Sequence, residues 1–166
     1  SSAAASFAQM KPALERGISV ASTCEELIFP ALKTPDLARD YDDLCRRTGA
    51  RIAGTGVNPG FVMDILPICL TGVSREVTSI YVERVVNAAT RRQPLQAKIG
   101  SGQNPDDFRA KFAAGKAGHA GFQQSVALLA HAMGWTLDEI RETCEPVVAT
   151  SRVVTQFFDV AAGQSL

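Results

Sequence analysis

The first 55 residues alternate between helical and strand-like patterns, and this alternation constrains the fold more than any other feature of the sequence. Apolar residues recur at helical spacing over residues 3–14, and the short apolar run ISVAST (18–23) follows as a predicted strand. PDLARDYDDLCRRTG (35–49) predicts an amphipathic helix that ends at its glycine, and ARIAG (50–54) predicts a second strand. Strands that alternate with helices form a parallel sheet with crossover connections. The sequence therefore predicts an α/β unit with a partial parallel sheet over residues 1–57.

The remaining residues, 58–166, predict a second domain of the α+β class. The run TSIYVERVVNAA (78–89) interleaves apolar and polar residues, which is typical of a strand with one solvent-facing side. PVVATSRVVTQFFDV (146–160) alternates in a similar way and predicts another strand, bent midway. We therefore expect a sheet that is covered by helices, joined to the first domain at residue 58.

Four helices are predicted in this second domain. Asparagine followed by proline occurs twice before a helical pattern, with the asparagine as N-cap and the proline as first helical residue. A clean apolar stripe, ended by a glycine, marks a third helix, and a threonine with a glutamate three residues later marks a short fourth one. The predicted helices begin after Asn58, after Asn104, at Phe122 and at Thr136.

The junction between the two predicted domains is the glycine-rich stretch GTGVNPGF (54–61). Its spacing, G-x-G-x-x-x-G, differs from the G-x-G-x-x-G of dinucleotide-binding turns, and it lacks the Gly-Lys-Ser/Thr of a P-loop. Two interpretations remain open. Free N–H groups at the start of the following helix could attract an anion or a carbonyl oxygen. Alternatively, the glycines only permit positive φ in an ordinary strand-to-helix turn.

Composition and charge exclude several classes of function. The chain has 17 basic and 17 acidic side chains, so no basic field favours binding to nucleic acid. No apolar stretch reaches the length needed to cross a membrane. The four cysteines are scattered and form no C-x-x-C pair, which argues against a metal site and favours a reducing cytoplasm.

Five motifs together resemble a known family. STCEEL (22–27), GTGVNPGFVMDILP (54–67), RVVNAATRRQPLQAKIGSG (84–102), GHAGFQQS (118–125) and EPVVA (145–149) are similar to the dihydrodipicolinate-reductase-like proteins, and most similar to the 2,4-diaminopentanoate dehydrogenases among them. The resemblance implies an NAD- or NADP-dependent oxidoreductase with an N-terminal Rossmann domain. It also implies a C-terminal domain for substrate and oligomer contacts. The chain departs from this pattern because it lacks the first Rossmann half with its pyrophosphate turn, and also the last strands of the C-terminal domain.

By this resemblance, two segments are expected near the nicotinamide end of the cofactor. One contains the residues at the end of the first strand, and the other is the glycine-rich turn. The cofactor-binding candidates are Ser22, Thr23, Cys24, Gly56, Asn58 and Phe61. From spacing alone, a plain helix cap remains the competing interpretation for the first three.

Candidates for substrate binding and catalysis lie in the polar segments of the second domain. His119, flanked by glycines in KAGHAGF, is a candidate acid or base near neutral pH, or otherwise a surface-loop histidine. Lys98 and Ser101 in QAKIGSG, with Arg91 and Arg92, are candidates for binding a substrate carboxylate; solvation at the surface is the alternative for at least one arginine. True dihydrodipicolinate reductases carry a His-His pair in the region that reads NAATRRQ here, so their chemistry is not transferred.

Two hypotheses on function follow. The first is an oxidoreductase of an amino-acid-like substrate, by hydride transfer between an amine-bearing carbon and nicotinamide. The second is a truncated, non-catalytic domain for oligomerisation or small-ligand binding, which the missing fingerprint favours. For this chain alone we expect weak or absent NAD(P)H binding, no activity and assembly into a homodimer through unpaired strand edges.

Overall fold

The computed structural model describes residues 2–118 and 120–166. Its helices are α1 (Ala3–Leu14), α2 (Pro35–Thr48), α3 (Ile65–Thr71), α4 (Gln93–Lys98), α5 (Pro105–Ala113) and α6 (Phe122–Met133). Its strands are β1 (Val20–Ser22), β2 (Ile52–Gly54), β3 (Val153–Val154) and β4 (Asp159–Val160). Short 3₁₀ turns occupy Glu25–Ile28, Pro30–Leu32 and Ala88–Thr90. Over the described residues no helix is long and apolar enough to cross a membrane.

The described residues form two compact units. The first unit lies within residues 1–84 and 120–141, and the second within residues 85–119 and 142–166. The sequence predicts one domain boundary, between residues 57 and 58. The two compact units divide the chain differently, because α3 and α6 belong to the same unit as the parallel strands. His119 lies outside the described residues.

The first unit contains the predicted helix–strand–helix–strand alternation. β1 and β2 pair in parallel, with Val20 opposite Ile52 and Ser22 opposite Gly54. The apolar positions of α1 face the core, in which the rings of Phe7 and Tyr41 stack with their centroids 4.3 Å apart. The coarse prediction of a mixed helix-and-strand fold with a small parallel sheet is therefore confirmed.

The helix predicted from Asn58 begins later than expected. Asp64, rather than Asn58, is the N-cap of α3, and its carboxylate accepts a hydrogen bond from the Ile65 N–H at 2.7 Å. Gly60 adopts a φ of +121°, which is incompatible with a continuous right-handed helix through this position. The prediction of Asn58 as N-cap is therefore wrong, and residues 57–63 form a turn instead.

The second unit is built around α4, α5 and a small antiparallel hairpin of β3 and β4. Phe108 of α5 is buried, and a Cβ at Gly100 would lie 2.4 Å from its ring, so only glycine permits this contact. The Arg152 guanidinium hydrogen-bonds both carboxylate oxygens of Asp159 and holds the pKa of that carboxyl below its ordinary value.

Three predicted elements of the later chain do not form as expected. Within the strand predicted over 78–89, residues 79–87 have no regular secondary structure, and the side chains of Tyr81 and Val85 are 84% and 86% exposed. A strand requires a neighbour to satisfy its backbone, and none of the described residues pairs with this segment. The strand predicted over 146–160 is reduced to β3 and β4, and the helix predicted at Thr136 is absent from the described structure. The polar stretch RRQPLQAKIGSGQ (91–103) predicts a loop, but its residues 93–98 form α4.

Candidate functional site

A cavity of about 260 Å³ lies beside the carboxyl end of β1. Because β1 and β2 are parallel, their carboxyl ends meet at one edge, where the Thr55 N–H donates to the Ser22 carbonyl oxygen at 2.9 Å. Ligands of open parallel sheets bind at such edges. The residues lining the cavity come from one side of α1, from β1 and from the turn that follows: Ser6, Gln9, Met10, Val20, Ala21, Ser22, Thr23, Cys24 and Glu25.

Three of the predicted cofactor residues therefore line this cavity. The Cys24 N–H donates to the Ser22 side-chain oxygen at 3.2 Å, so the hydroxyl of Ser22 shapes the turn that leads out of the strand. Thr23 is exposed, whereas Cys24 is buried in the core of the first unit. Of these three residues only Cys24 occupies an N-cap position, that of the 3₁₀ turn, and its side chain makes no capping bond, so the competing interpretation as helix caps does not hold for Ser22 and Thr23.

The glycine-rich turn owes its glycines to close backbone contacts more than to positive φ. A Cβ at Gly54 would lie 2.3 Å from the Leu27 carbonyl oxygen, and one at Gly56 would lie 2.5 Å from the Pro59 carbonyl oxygen. Neither glycine has a positive φ, whereas Gly60 does. The turn thus folds tightly on itself beside the strand ends, and its glycines are explained by packing whether or not a ligand binds there.

The sequence prediction missed Asp64, although an acidic residue inside the apolar run GFVMDIL was a signal. Its side chain is completely buried and accepts three hydrogen bonds, which satisfy the buried carboxylate. The donors are the Gly60 N–H at 2.8 Å, the Ile65 N–H at 2.7 Å and the Ser125 hydroxyl at 2.7 Å. Asp64 therefore joins the glycine-rich turn to α6.

The start of α6 lies against the same region. Gly121, the N-cap of α6, approaches so closely that a Cβ there would lie 2.5 Å from the Pro59 ring and 2.8 Å from the Glu25 Cβ. Glu25 was also missed, and it is the acidic side chain among those lining the cavity. Of the predicted residues in the turn, Asn58 is half-buried, and Phe61 is 50% exposed.

The predicted substrate residues belong to the second unit. Arg92 and Lys98 are exposed, Arg91 is partly exposed and Ser101 is buried. The buried Gln96 amide donates to the Arg91 carbonyl oxygen at 2.6 Å and so fixes the backbone of the arginine pair. Over the described residues, neither guanidinium of this pair forms an ion pair.

The backbone also brings Lys98 close to the segment that precedes His119. The Gly118 N–H donates to the Lys98 carbonyl oxygen at 3.2 Å. This bond joins the backbone of Lys98 to Gly118, and the candidate His119 itself lies outside the described residues. Within residues 2–118 and 120–166, no group of three or more His, Cys, Asp or Glu side chains is placed to hold a metal ion.

A solved structure and two curated proteins are similar to this chain. The structure of amine dehydrogenase from Mycobacterium smegmatis superposes with a TM-score of 0.68 over 97% of this chain and 48% of that one; at 20% identity the likeness shows the fold alone. The 2,4-diaminopentanoate dehydrogenase of Acetoanaerobium sticklandii is 36% identical over 144 residues, which cover 86% of this chain and 41% of that protein. The amine dehydrogenase of Streptomyces virginiae is 28% identical over 110 residues, which cover 65% of this chain and 30% of that protein.

The fold is thus similar to about half of that amine dehydrogenase structure. The family model of the 2,4-diaminopentanoate dehydrogenase C-terminal domain matches residues 61–166. The chain belongs to the 2,4-diaminopentanoate dehydrogenase family, as its motifs predict. It spans less than half the length of the curated relatives that it matches.

Proposed function

We propose that this chain is part of an NAD- or NADP-dependent oxidoreductase that acts on an amino-acid-like substrate. The observation that carries the proposal is the polar cavity at the carboxyl end of β1, in a chain of the 2,4-diaminopentanoate dehydrogenase family. The names of both curated relatives support an amine-bearing substrate. The non-catalytic alternative has no comparable support. The finer fold assignment, the second half of a Rossmann domain within residues 1–57, remains part of this proposal.

The residues around the cavity are compatible with a nicotinamide cofactor. Hydroxyl groups of Ser22 and Thr23 lie beside the cavity at the carboxyl end of the strand, where ligands of parallel sheets bind. When bound, nicotinamide would accept or donate the hydride, while the protein binds and orients the reactants. The remaining cofactor candidates are Cys24, which also lines the cavity, and Gly56, Asn58 and Phe61 of the glycine-rich turn.

The side chains proposed to act on the substrate have distinct tasks. Glu25 lines the cavity and is proposed to take a proton from the substrate amine. Arg91, Arg92 and Lys98, with Ser101, are proposed to bind the substrate carboxylate. His119 is proposed to transfer a proton or contact the amine. A cytoplasmic location and a homodimer complete the proposal.

The test compares two neighbouring glutamates in the full-length protein. Glu25→Gln removes the proton acceptor, and we expect kcat for oxidation of 2,4-diaminopentanoate to fall about a hundredfold or more, with NAD(P)H affinity retained. The matched control is Glu26→Gln, since Glu26 accepts a hydrogen bond from the Ala3 N–H at 2.7 Å, a structural role that glutamine preserves. Equal activity of the two variants would refute the role of Glu25, and absence of amine oxidation by the wild type would refute the proposed function.

A further inference from the structure

Gln124 carries a buried oxygen that accepts no hydrogen bond. The residue lies in the first turn of α6 and is 1% exposed. Within residues 2–118 and 120–166, no group hydrogen-bonds its Oε1 atom. Buried polar atoms are nearly always paired, because an unpaired one loses its water without compensation. Such an atom calls for a specific explanation.

The ordinary structural role for this position is not fulfilled. Gln124 is the third residue after the N-cap Gly121, where a glutamine usually reaches back to the backbone N–H of the cap. Here the oxygen has no such partner among the described residues. Helix capping therefore does not account for the buried amide.

The surroundings of Gln124 belong to the candidate site. The next residue, Ser125, donates to the Asp64 carboxylate at 2.7 Å, which holds this turn of α6 against the glycine-rich turn. One turn earlier, Gly121 packs against Pro59 and Glu25. The unpaired oxygen thus lies on a helix turn that is fixed on two sides and adjoins the cavity-lining glutamate.

We propose that Gln124 Oε1 accepts a hydrogen bond from an N–H group of a bound ligand. Two groups of the proposed reactants have this chemistry, the carboxamide of the nicotinamide and the amine of the substrate. The inference rests on the proposed function and adds a residue that selects N–H donors over ligands that present only an acceptor. If a carboxylate replaced the nicotinamide carboxamide, its oxygens and Gln124 Oε1 would all be acceptors and could not hydrogen-bond each other.

The first experiment measures the stability of the unliganded full-length protein. Gln124→Leu replaces the side chain that carries the unpaired oxygen by an apolar one of similar size, and Gln123→Leu, at a half-buried neighbouring position, is the matched control. Because the wild-type oxygen is unpaired, Gln124→Leu is expected to leave the thermal midpoint unchanged or raise it by up to about 4 °C. A glutamine retained for structure would instead make this variant less stable than the control.

The second experiment measures binding by calorimetric titration. Gln124→Leu is expected to weaken one ligand about tenfold, the change produced by losing one neutral hydrogen bond. If the nicotinamide is the donor, wild type binds NAD more tightly than nicotinic acid adenine dinucleotide, and the variant loses this preference. If the substrate is the donor, the affinity for 2,4-diaminopentanoate falls and both dinucleotides bind as before. The control variant is expected to match wild type.

The outcomes separate the inference from the proposed function. Unchanged affinities in Gln124→Leu, or lower unliganded stability than in Gln123→Leu, would overturn the inference and leave the proposed function intact. Wild-type protein that binds neither a dinucleotide nor the diamine would overturn both. Weaker binding of one ligand at undiminished unliganded stability would support the inference and identify the donor.

Discussion

The glycine-rich turn with Asp64 and the extended segment at residues 79–87 show opposite relations between sequence pattern and structure. The turn has an unusual composition and is tightly packed, with its buried carboxylate fully hydrogen-bonded. The segment has a clear strand pattern but no strand, and the side chains of Tyr81, Val85 and Val86 are exposed to solvent. The turn finds its contacts within its own unit, including the Ser125 hydroxyl on Asp64, whereas the segment requires a partner strand that no described residue provides. An alternating strand pattern predicts a segment whose backbone N–H and C=O groups require a neighbouring strand. The segment cannot supply that neighbour itself.

The largest loss of stability is expected when a side chain is added at Gly54, the last residue of β2. In Gly54→Ala the new Cβ would meet the Leu27 carbonyl oxygen at 2.3 Å, a backbone atom that cannot move aside cheaply. We expect a loss of about 3–5 kcal/mol in the free energy of unfolding, measured by urea denaturation. Gly72→Ala is the control, because its nearest contact would be 3.2 Å and its φ is −61°. Equal stability of the two variants would contradict the steric account of the turn.

A smaller loss of stability is expected when Asp64, which accepts hydrogen bonds from the turn and from α6, is changed. Asp64→Asn removes the charge and places an amide donor where three donors converge, so we expect a loss of about 2–3 kcal/mol in unfolding free energy. Ser125→Ala removes one donor and should cost about 1 kcal/mol. Asp107→Asn, at an exposed position of α5, is the control. If Asp64→Asn were as stable as this control in urea, Asp64 would not join the turn to α6.

The smallest effect on stability, but a decisive one on assembly, is expected in the extended segment. We expect the full-length protein to be a homodimer in which residues 79–87 meet a neighbouring strand. Tyr81→Lys should then shift the dimer to monomer in multi-angle light scattering at low micromolar concentration. The free energy of unfolding of the monomer should change by less than about 0.5 kcal/mol, because the side chain is exposed.

Val73→Lys is the control for assembly, since Val73 is 91% exposed but lies outside the predicted strand. This variant should remain a dimer. A monomeric wild type, or dissociation of both variants to the same extent, would contradict an interface through the predicted strand.

Several predictions from the sequence were confirmed because they depend on local chemistry. The helices α1, α2, α5 and α6 form where apolar spacing and terminal residues predict them, and Gly49 ends α2 in the left-handed conformation. The family was recognised from motifs such as TGVNPGF and is confirmed. Ser22, Thr23 and Cys24 lie beside a cavity at the end of a strand, and their role in cofactor binding stays a prediction.

Other features could not be derived from local patterns. Asn58 has the residue type and spacing of an N-cap, but Asp64 takes that role because α6 brings Ser125 within reach of its carboxylate. The roles proposed for Glu25 and Gln124 likewise depend on Gly121 packing against Pro59, a contact between residues more than 60 positions apart. No pattern in the sequence indicates that residues so far apart along the chain are in contact.

The sequence by itself determined the parallel α/β start of the chain, the family and the segments in which polar and glycine residues concentrate. These follow from periodicity, turn chemistry and motif identity, which operate over a few residues or are shared with relatives. Only the tertiary structure decided which side chains are buried together: Asp64 with Ser125, Glu25 beside Gly121, and Gln124 without a partner for its oxygen. The physical reason is that burial and hydrogen-bond satisfaction depend on which distant segments pack, and apolar packing is not directional enough for the sequence alone to specify the partner.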